Sequence, residues 1–235
     1  MTTTSSRSAA VSHSRALYKS SIGKKLITGV TGLMLAAFVL VHMVGNLTLF
    51  LGAAAYNQFG HVVETLGPLT WIVELVLLGA VIFHAVLGFQ IFIGKVKARR
   101  QGYAEYQSAG APSYQSLSSR SMIWTGLVLA GFLVWHLTTF KFGPRYHVPG
   151  TEVRDLARLV FEKFQQPAYA GGYVAVMVLL GFHLRHGLWS ALQSLGVLGS
   201  GVRSVVYAVG TVLAILIALG FLGLPVAIYS GWLGG

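Results

Sequence analysis

The stretch SSIGKKLITGVTGLMLAAFVLVHMVGNL (residues 20–47) decides how the rest of the chain is read. Two lysines close its polar start, and an apolar run long enough to cross a bilayer as a helix follows, since about 20 residues suffice. Inside that run stands His42. An ionisable side chain at such a depth is costly and needs a partner or a task. Three further apolar runs repeat the pattern, at IFHAVLG (82–88), LVWHLTTF (133–140) and LGFHLRHG (180–187).

Composition agrees with a membrane setting. Of 235 residues 54% are hydrophobic and only 10% charged, whereas a soluble domain carries roughly 25% charged residues. There is no cysteine, so disulfides, zinc thiolates, iron–sulfur ligation and thioether-linked haem are excluded. Any metal here is held by histidine, methionine or carboxylate. No serine–histidine–acid set, phosphate-cradling loop or flavin fingerprint is present.

Hydropathy gives five spans, at 26–51, 66–93, 121–142, 168–192 and 204–230. The expected fold is an all-α, five-helix transmembrane bundle, preceded by a tail (1–25) and followed by a short C-terminus (231–235). The basic tail is read as cytoplasmic, leading into a retained first helix and not a cleaved signal. Pro68 and Pro167 fall at helix starts, where a missing N–H is tolerated. Trp71, Trp124, Trp189 and Trp232 lie near span ends, as interfacial aromatics do. Between spans, residues 152–164 carry Val153, Leu156, Ala157, Val160, Phe161 and Phe164 at amphipathic-helix spacing, with 55–66 a fainter case.

Charge sets the direction. Arg7, Arg15, Lys19, Lys24 and Lys25 in the tail, Lys95, Lys97, Arg99, Arg100 and Arg120 in the second loop, and Arg203 lie on one side, opposed only by Glu105. On the other, Lys141, Arg145, Arg154, Arg158 and Lys163 are offset by Glu64, Glu152, Asp155 and Glu162. Positive charge stays inside, so the N-terminus is cytoplasmic and the C-terminus external. The net charge of +11 is then topology signal and attraction to anionic lipid, not a nucleic-acid footprint.

At 1.5 Å per residue, His42 and His136 lie about 24–25 Å from the cytoplasmic ends of their spans, and His84 and His183 about 14 Å. Four histidines thus fall into two layers, roughly 10 Å apart, each fed by two helices. Two facing imidazoles are what a six-coordinate, low-spin haem iron requires. The alternative for any one histidine is an interior side chain bonded to a neighbouring carbonyl. His186, at about 9 Å, competes with His183, while His13, His61 and His147 lie outside the spans. Gly45, Gly88 and Gly187 follow three of the histidines by three or four residues, leaving room either for a porphyrin or for close helix packing.

At these residues the sequence resembles a known family. The stretch 20–47, together with GPLTWIVELVLLGAVIFHAVLGFQI (67–91) and FEKFQQPAYAGGYVAVMVLLGFHLRHGLWSALQSLGV (161–197), is similar to the cytochrome b558 family. These are the dihaem membrane anchors of succinate dehydrogenase and fumarate reductase. The resemblance runs from Ser20 to Ser230. It implies five helices enclosing two stacked b haems, the outer on His42 and His136 and the inner on His84 and His183, favouring His183 over His186. It also implies a flavoprotein (FAD) and an iron–sulfur subunit docked on the cytoplasmic face, electron exchange with quinone, menaquinone in particular, and residence in the cytoplasmic membrane. Two other readings are a b-type subunit of a formate dehydrogenase, hydrogenase or nitrate reductase, and a haem-free transporter or scaffold. The first distributes its histidines differently among helices. The second lacks broken helices and internal repeats to support it.

Glu74 lies about 12 Å inside the second span; a carboxylate there carries protons to quinone, answers charge at the outer site, or is a protonated acid bonded to a neighbour. His61 and Glu64 are candidates for the mouth of an outer quinone pocket. Arg185, Lys24 and Lys95 are candidate partners of haem propionates, with snorkelling to the interface as the alternative.

Overall fold

The computed structural model describes residues 18, 20–98, 117–199 and 201–234. Within them the chain forms seven α-helices: α1 (Ser21–Leu47), α2 (Ala53–Thr65), α3 (Pro68–Ala98), α4 (Leu117–His136), α5 (Leu156–Phe164), α6 (Pro167–Ser194) and α7 (Arg203–Tyr229). Five of them, two with short extensions, are long and apolar enough to cross a membrane: Ser21–Leu51, Pro68–Ala98, Leu117–Lys141, Pro167–Ser194 and Arg203–Tyr229. This is the helical architecture of a multi-pass membrane protein. The five spans expected from hydropathy are all present, but the first begins earlier and the second runs on to Ala98. Helices continue past the apolar run because lysine-bearing turns keep their backbone bonds while their side chains reach water. His13, Arg7, Arg15, Lys19, Arg99, Arg100 and Glu105 lie outside the described residues.

Ser20 starts α1 by accepting the Gly23 amide on its side chain at 2.9 Å, a standard N-cap that satisfies one of the helix's free donors. Pro68 and Pro167 sit in the first turns of α3 and α6. Helix α1 packs on α3, α6 and α7, and α6 on α1, α4 and α7, while α3 touches α4 only thinly. Four helices, α1, α3, α4 and α6, therefore surround one axis, and α7 leans on the α1–α6 seam from outside. Small residues set that seam. A side chain at Gly29 would meet the Ala191 backbone, one at Gly181 the Ala218 side chain, and one at Gly220 the Met43 sulfur. Between helices in an apolar solvent, close backbone approach replaces the hydrophobic effect as the source of packing energy.

The end of the bundle where α1 and α4 finish is closed by the two short helices. In α5, Ala157, Leu159, Val160 and Phe164 are buried, and Ala157, Val160 and Phe164 form one apolar cluster with Leu49, Tyr56, Tyr173, Leu224 and Ile228. The amphipathic pattern at 152–164 thus packs its apolar face on the bundle. Asp155 caps α5 by accepting the Arg158 amide at 3.1 Å. Nearby, Tyr146 donates its hydroxyl to Glu162 at 2.8 Å, and that bond holds the Glu162 carboxyl below its ordinary range. Trp71, Trp124 and Trp232 project outward as interfacial aromatics do, but Trp189 does not: it is 5% exposed and meets Tyr207 edge-on at 5.6 Å. A tryptophan facing the α6–α7 seam finds an aromatic partner there and has no route to the interface.

Asn57 joins the two capping helices. Its amide Nδ2 donates to Asp155 Oδ1 at 2.9 Å and its Oδ1 accepts the Ala157 amide at 2.8 Å, in a site where Asn57 is buried. Asn57→Ala strands a buried donor and weakens an N-cap, at a cost of about 1–3 kcal/mol. The expected outcome is faster hydrogen exchange at the first amides of α5, with the long helices unchanged, read by exchange mass spectrometry in detergent.

Candidate functional site: two crossed imidazole pairs

The four intramembrane histidines meet two by two. The rings of His42 (α1) and His136 (α4) lie 5.7 Å apart, centroid to centroid, at an interplanar angle of 88°. Those of His84 (α3) and His183 (α6) lie 6.2 Å apart at 66°. Each helix around the axis contributes one histidine, and α7 contributes none. His183, not His186, is the ring that faces His84. Among the described residues no group of three or more histidine and carboxylate side chains comes together, so these are pairs and not multidentate protein sites.

Three of the rings are tied through the nitrogen nearer the backbone. His84 Nδ1 lies 3.1 Å from the Thr28 carbonyl; a carbonyl only accepts, so Nδ1–H donates. His183 Nδ1 lies 3.1 Å from Thr125 Oγ1, whose own proton goes to the Ser121 carbonyl at 3.0 Å. Here too Nδ1–H donates. His136 Nδ1 is hydrogen-bonded to the Tyr173 hydroxyl at 3.1 Å. A proton held on Nδ1 places the free lone pair on Nε2, the nitrogen at the far end of the ring. His42 is steadied by stacking on Phe38 at 5.4 Å and 20°, and Phe221 of α7 reaches it at 6.0 Å.

These contacts measure the distance between layers better than helix ends do. Thr28 and Gly32, against His84, stand about ten residues or more before His42 on α1. Tyr173, bonded to His136, is ten residues before His183 on α6. Thr125, bonded to His183, is eleven before His136 on α4. At 1.5 Å per residue the layers are about 15 Å apart, which corrects the 10 Å inferred from hydropathy. Span ends taken from hydropathy do not lie at a common depth, whereas cross-helix contacts do.

The glycines also differ from expectation. Gly45 does not open towards the outer imidazoles: a side chain there would strike the Phe59 ring of α2. Gly88 and Gly187 have open space beside them. Two glycines that spacing did not single out stand against the inner pair, since a side chain at Gly32 would crowd His84, at 2.9 Å from its ring, and one at Gly126 would touch His183 at 3.5 Å. Both lie on neighbouring helices, out of reach of any same-face rule. The hydroxyl of Thr28, beside His84, is buried without a hydrogen-bond partner.

Glu74 proves to be ion-paired with Lys141 at the end of α4. Lys141, counted among the outer charges at the end of the third span, lies on another helix, so spacing within the second span did not report it. The helix carrying it ends in a π-turn, Leu137–Lys141, which widens the backbone immediately after His136. Arg154 donates from Nη2 to the Phe140 carbonyl in that turn at 2.7 Å; burial and the neighbouring Arg145 lower its affinity for a proton, and Glu64 opposes them. Glu64 is exposed and His61 half-buried on α2. At the other end, Arg185 donates to Ser118 Oγ at 3.2 Å and to the Tyr207 hydroxyl at 2.5 Å. Lys24 is half-buried at the start of α1, and Lys95 is exposed near the end of α3.

Fold and site together define a helical membrane protein whose polar interior consists of paired imidazoles at two depths. In sequence the chain is 26% identical, over 189 residues covering 80% of its length and 85% of the relative's, to the succinate dehydrogenase cytochrome b558 subunit of Bacillus subtilis (strain 168). The resemblance to the cytochrome b558 family therefore rests on a match across most of both chains. No family model matches the sequence, and no solved structure matches it.

Thr125→Val removes the acceptor of the His183 Nδ1–H while keeping the side chain's shape. The expected outcome is a lower thermal midpoint in detergent, from a buried donor costing about 1–3 kcal/mol. Thr125→Ser, which keeps the hydroxyl, should retain most of the stability.

Proposed function

We propose that this chain is the dihaem membrane anchor of a succinate:quinone oxidoreductase, joining a cytoplasmic iron–sulfur subunit to quinone in the bilayer. The observation that carries this reading is the pair of crossed imidazoles at each of two depths. The ring separations of 5.7 and 6.2 Å leave room for one metal ion between the two imidazoles of each pair, which would hold it. The residues suit b haem.

His42 and His136 would hold the outer haem, and His84 and His183 the inner one. When bound, each haem supplies one-electron exchange between a partner's iron–sulfur cluster and the quinone pool, with no open coordination site for oxygen. The chain's part is to orient and insulate. Thr28 and Thr125 fix the tautomers of two rings, and with Tyr173 they hold the rotations of three, as partners of metal-bound imidazoles do. Phe38, Phe132 and Phe221 pack on the outer rings and keep water from them. At the tail end, Arg185 has further N–H donors beyond its bonds to Ser118 and Tyr207, and with Lys24 and Lys95 it would meet haem propionates or partner carboxylates.

We place quinone chemistry at the capped end, where Glu64 and His61 on α2 would take up or release protons. Menaquinone is the quinone the family resemblance favours. The flavin and the iron–sulfur clusters belong to partner subunits on the positively charged, cytoplasmic face. The protein would then reside in the cytoplasmic membrane, N-terminus inside and C-terminus outside.

The purified chain or complex should show a reduced-minus-oxidised b-type spectrum with two haems per polypeptide. His42→Ala and His84→Ala should each remove one, and the two losses should differ in spectrum or potential. Absence of haem from the wild type would end this reading. The orientation has its own test: alkaline phosphatase fused after Gly150 should be active, and after Gly199 inactive.

A further inference from the structure

The Glu74–Lys141 pair lies outside the haem-ligand set. Glu74 stands in the second turn of α3 and Lys141 closes the π-turn of α4. Both side chains are partly exposed, 43% and 41%, on a flank where α3 and α4 have little other contact. Charges at such a level are expensive unless paired, so two of them facing each other across a thin seam form a clasp between helices. A π-turn shifts every following side chain around the helix relative to an α-helical continuation, and such turns concentrate at functional positions. Here the shift begins at the residue after His136. The turn is gripped at two points, by Arg154 on the Phe140 carbonyl and by Glu74 on Lys141.

We infer that Glu74 and Lys141 form a clasp of opposite charges that positions His136 and keeps the field at the outer site balanced, so that loss of either charge alone shifts the outer reduction potential. The inference rests on the proposed function, because a potential exists only if the outer pair holds a redox group. Lys141 is five residues beyond His136, about 7.5 Å along the axis, within range for a single charge to act in a medium of reduced dielectric. A positive charge favours the reduced state and a negative charge opposes it. As a pair they nearly cancel; each alone does not. Glu74 and Lys141 are thus positioning residues, and their signature is electrostatic.

The test is a redox titration of the haem-loaded protein at pH 8, followed optically, for wild type, Glu74→Gln, Lys141→Met and the double variant. Lys141→Met should lower the outer potential and Glu74→Gln raise it, each by a three- to tenfold change in the one-electron equilibrium, up to about 59 mV. The double variant should return close to wild type, and the inner transition should stay in place throughout. Lys141→Arg, which keeps the charge, should leave both transitions unmoved. Hydrogen exchange at residues 137–142 should quicken in both single variants, reporting the positioning half without reference to haem. If Lys141→Met does not assemble, Glu74→Gln and the double variant still give the sign. Shifts of the same sign in both single variants, equal shifts at both sites, or no shift overturn the clasp. Loss of quinone turnover in Glu74→Gln with the potential unmoved overturns it too, and makes Glu74 a proton carrier. A wild-type protein without haem removes the proposed function itself, a result distinguishable from all of these.

Discussion

Everything in this structure answers to one constraint: a polar ring inside an apolar bundle must have both of its nitrogens accounted for. Leaving a buried hydrogen-bonding group unmet costs as much as a typical point mutation takes from a whole protein. For His84, His183 and His136 one nitrogen is met by Thr28, Thr125 and Tyr173, each from a different helix than the ring it serves. The tether and the ring thus lock two helices at a stated depth. Each ring also lies beside a partner histidine on a third helix. Helix register, ring tautomer and site geometry are one decision and not three.

That economy explains why α7 carries no histidine and is still indispensable to the arrangement. Its Ala214 and Ile217 are buried almost completely, and its glycines leave room for the side chains of Met43, Phe50 and Leu188. Phe221 is its one reach into the outer site. A helix that only packs is best made of small and branched apolar residues. Its Pro225 costs little, because a membrane bundle lets neighbours compensate a lost backbone bond.

Much of this was readable from residues alone, and what was not has physical causes. Five apolar runs, each long enough to cross, gave the helices, and depth along them paired His42 with His136 and His84 with His183, as the rings are in fact paired. The cap at 152–164 was visible because amphipathic spacing is a local property. Invisible were the contacts made between helices. Gly32 and Gly126 matter through rings on α3 and α6, and Trp189 through Tyr207; no spacing within one helix reports them. Depth was misjudged by about 5 Å because helices overrun their hydrophobic segments by unequal amounts.

Glu74 shows most clearly how a local reading and a structure part company. Within α3 it is a lone carboxylate in hydrocarbon, which invites either a proton or a task. Across the seam it is half of an ion pair, and the sign of the local field depends on a lysine that sequence alone counts only as an outer charge at the end of the third span. The π-turn decides between these, since an α-helical continuation through residues 137–141 would turn Lys141 to another azimuth and leave Glu74 without it. One extra residue in one helical turn therefore settles whether the capped end of the bundle presents a bare carboxylate or a neutral clasp beside the outer imidazoles.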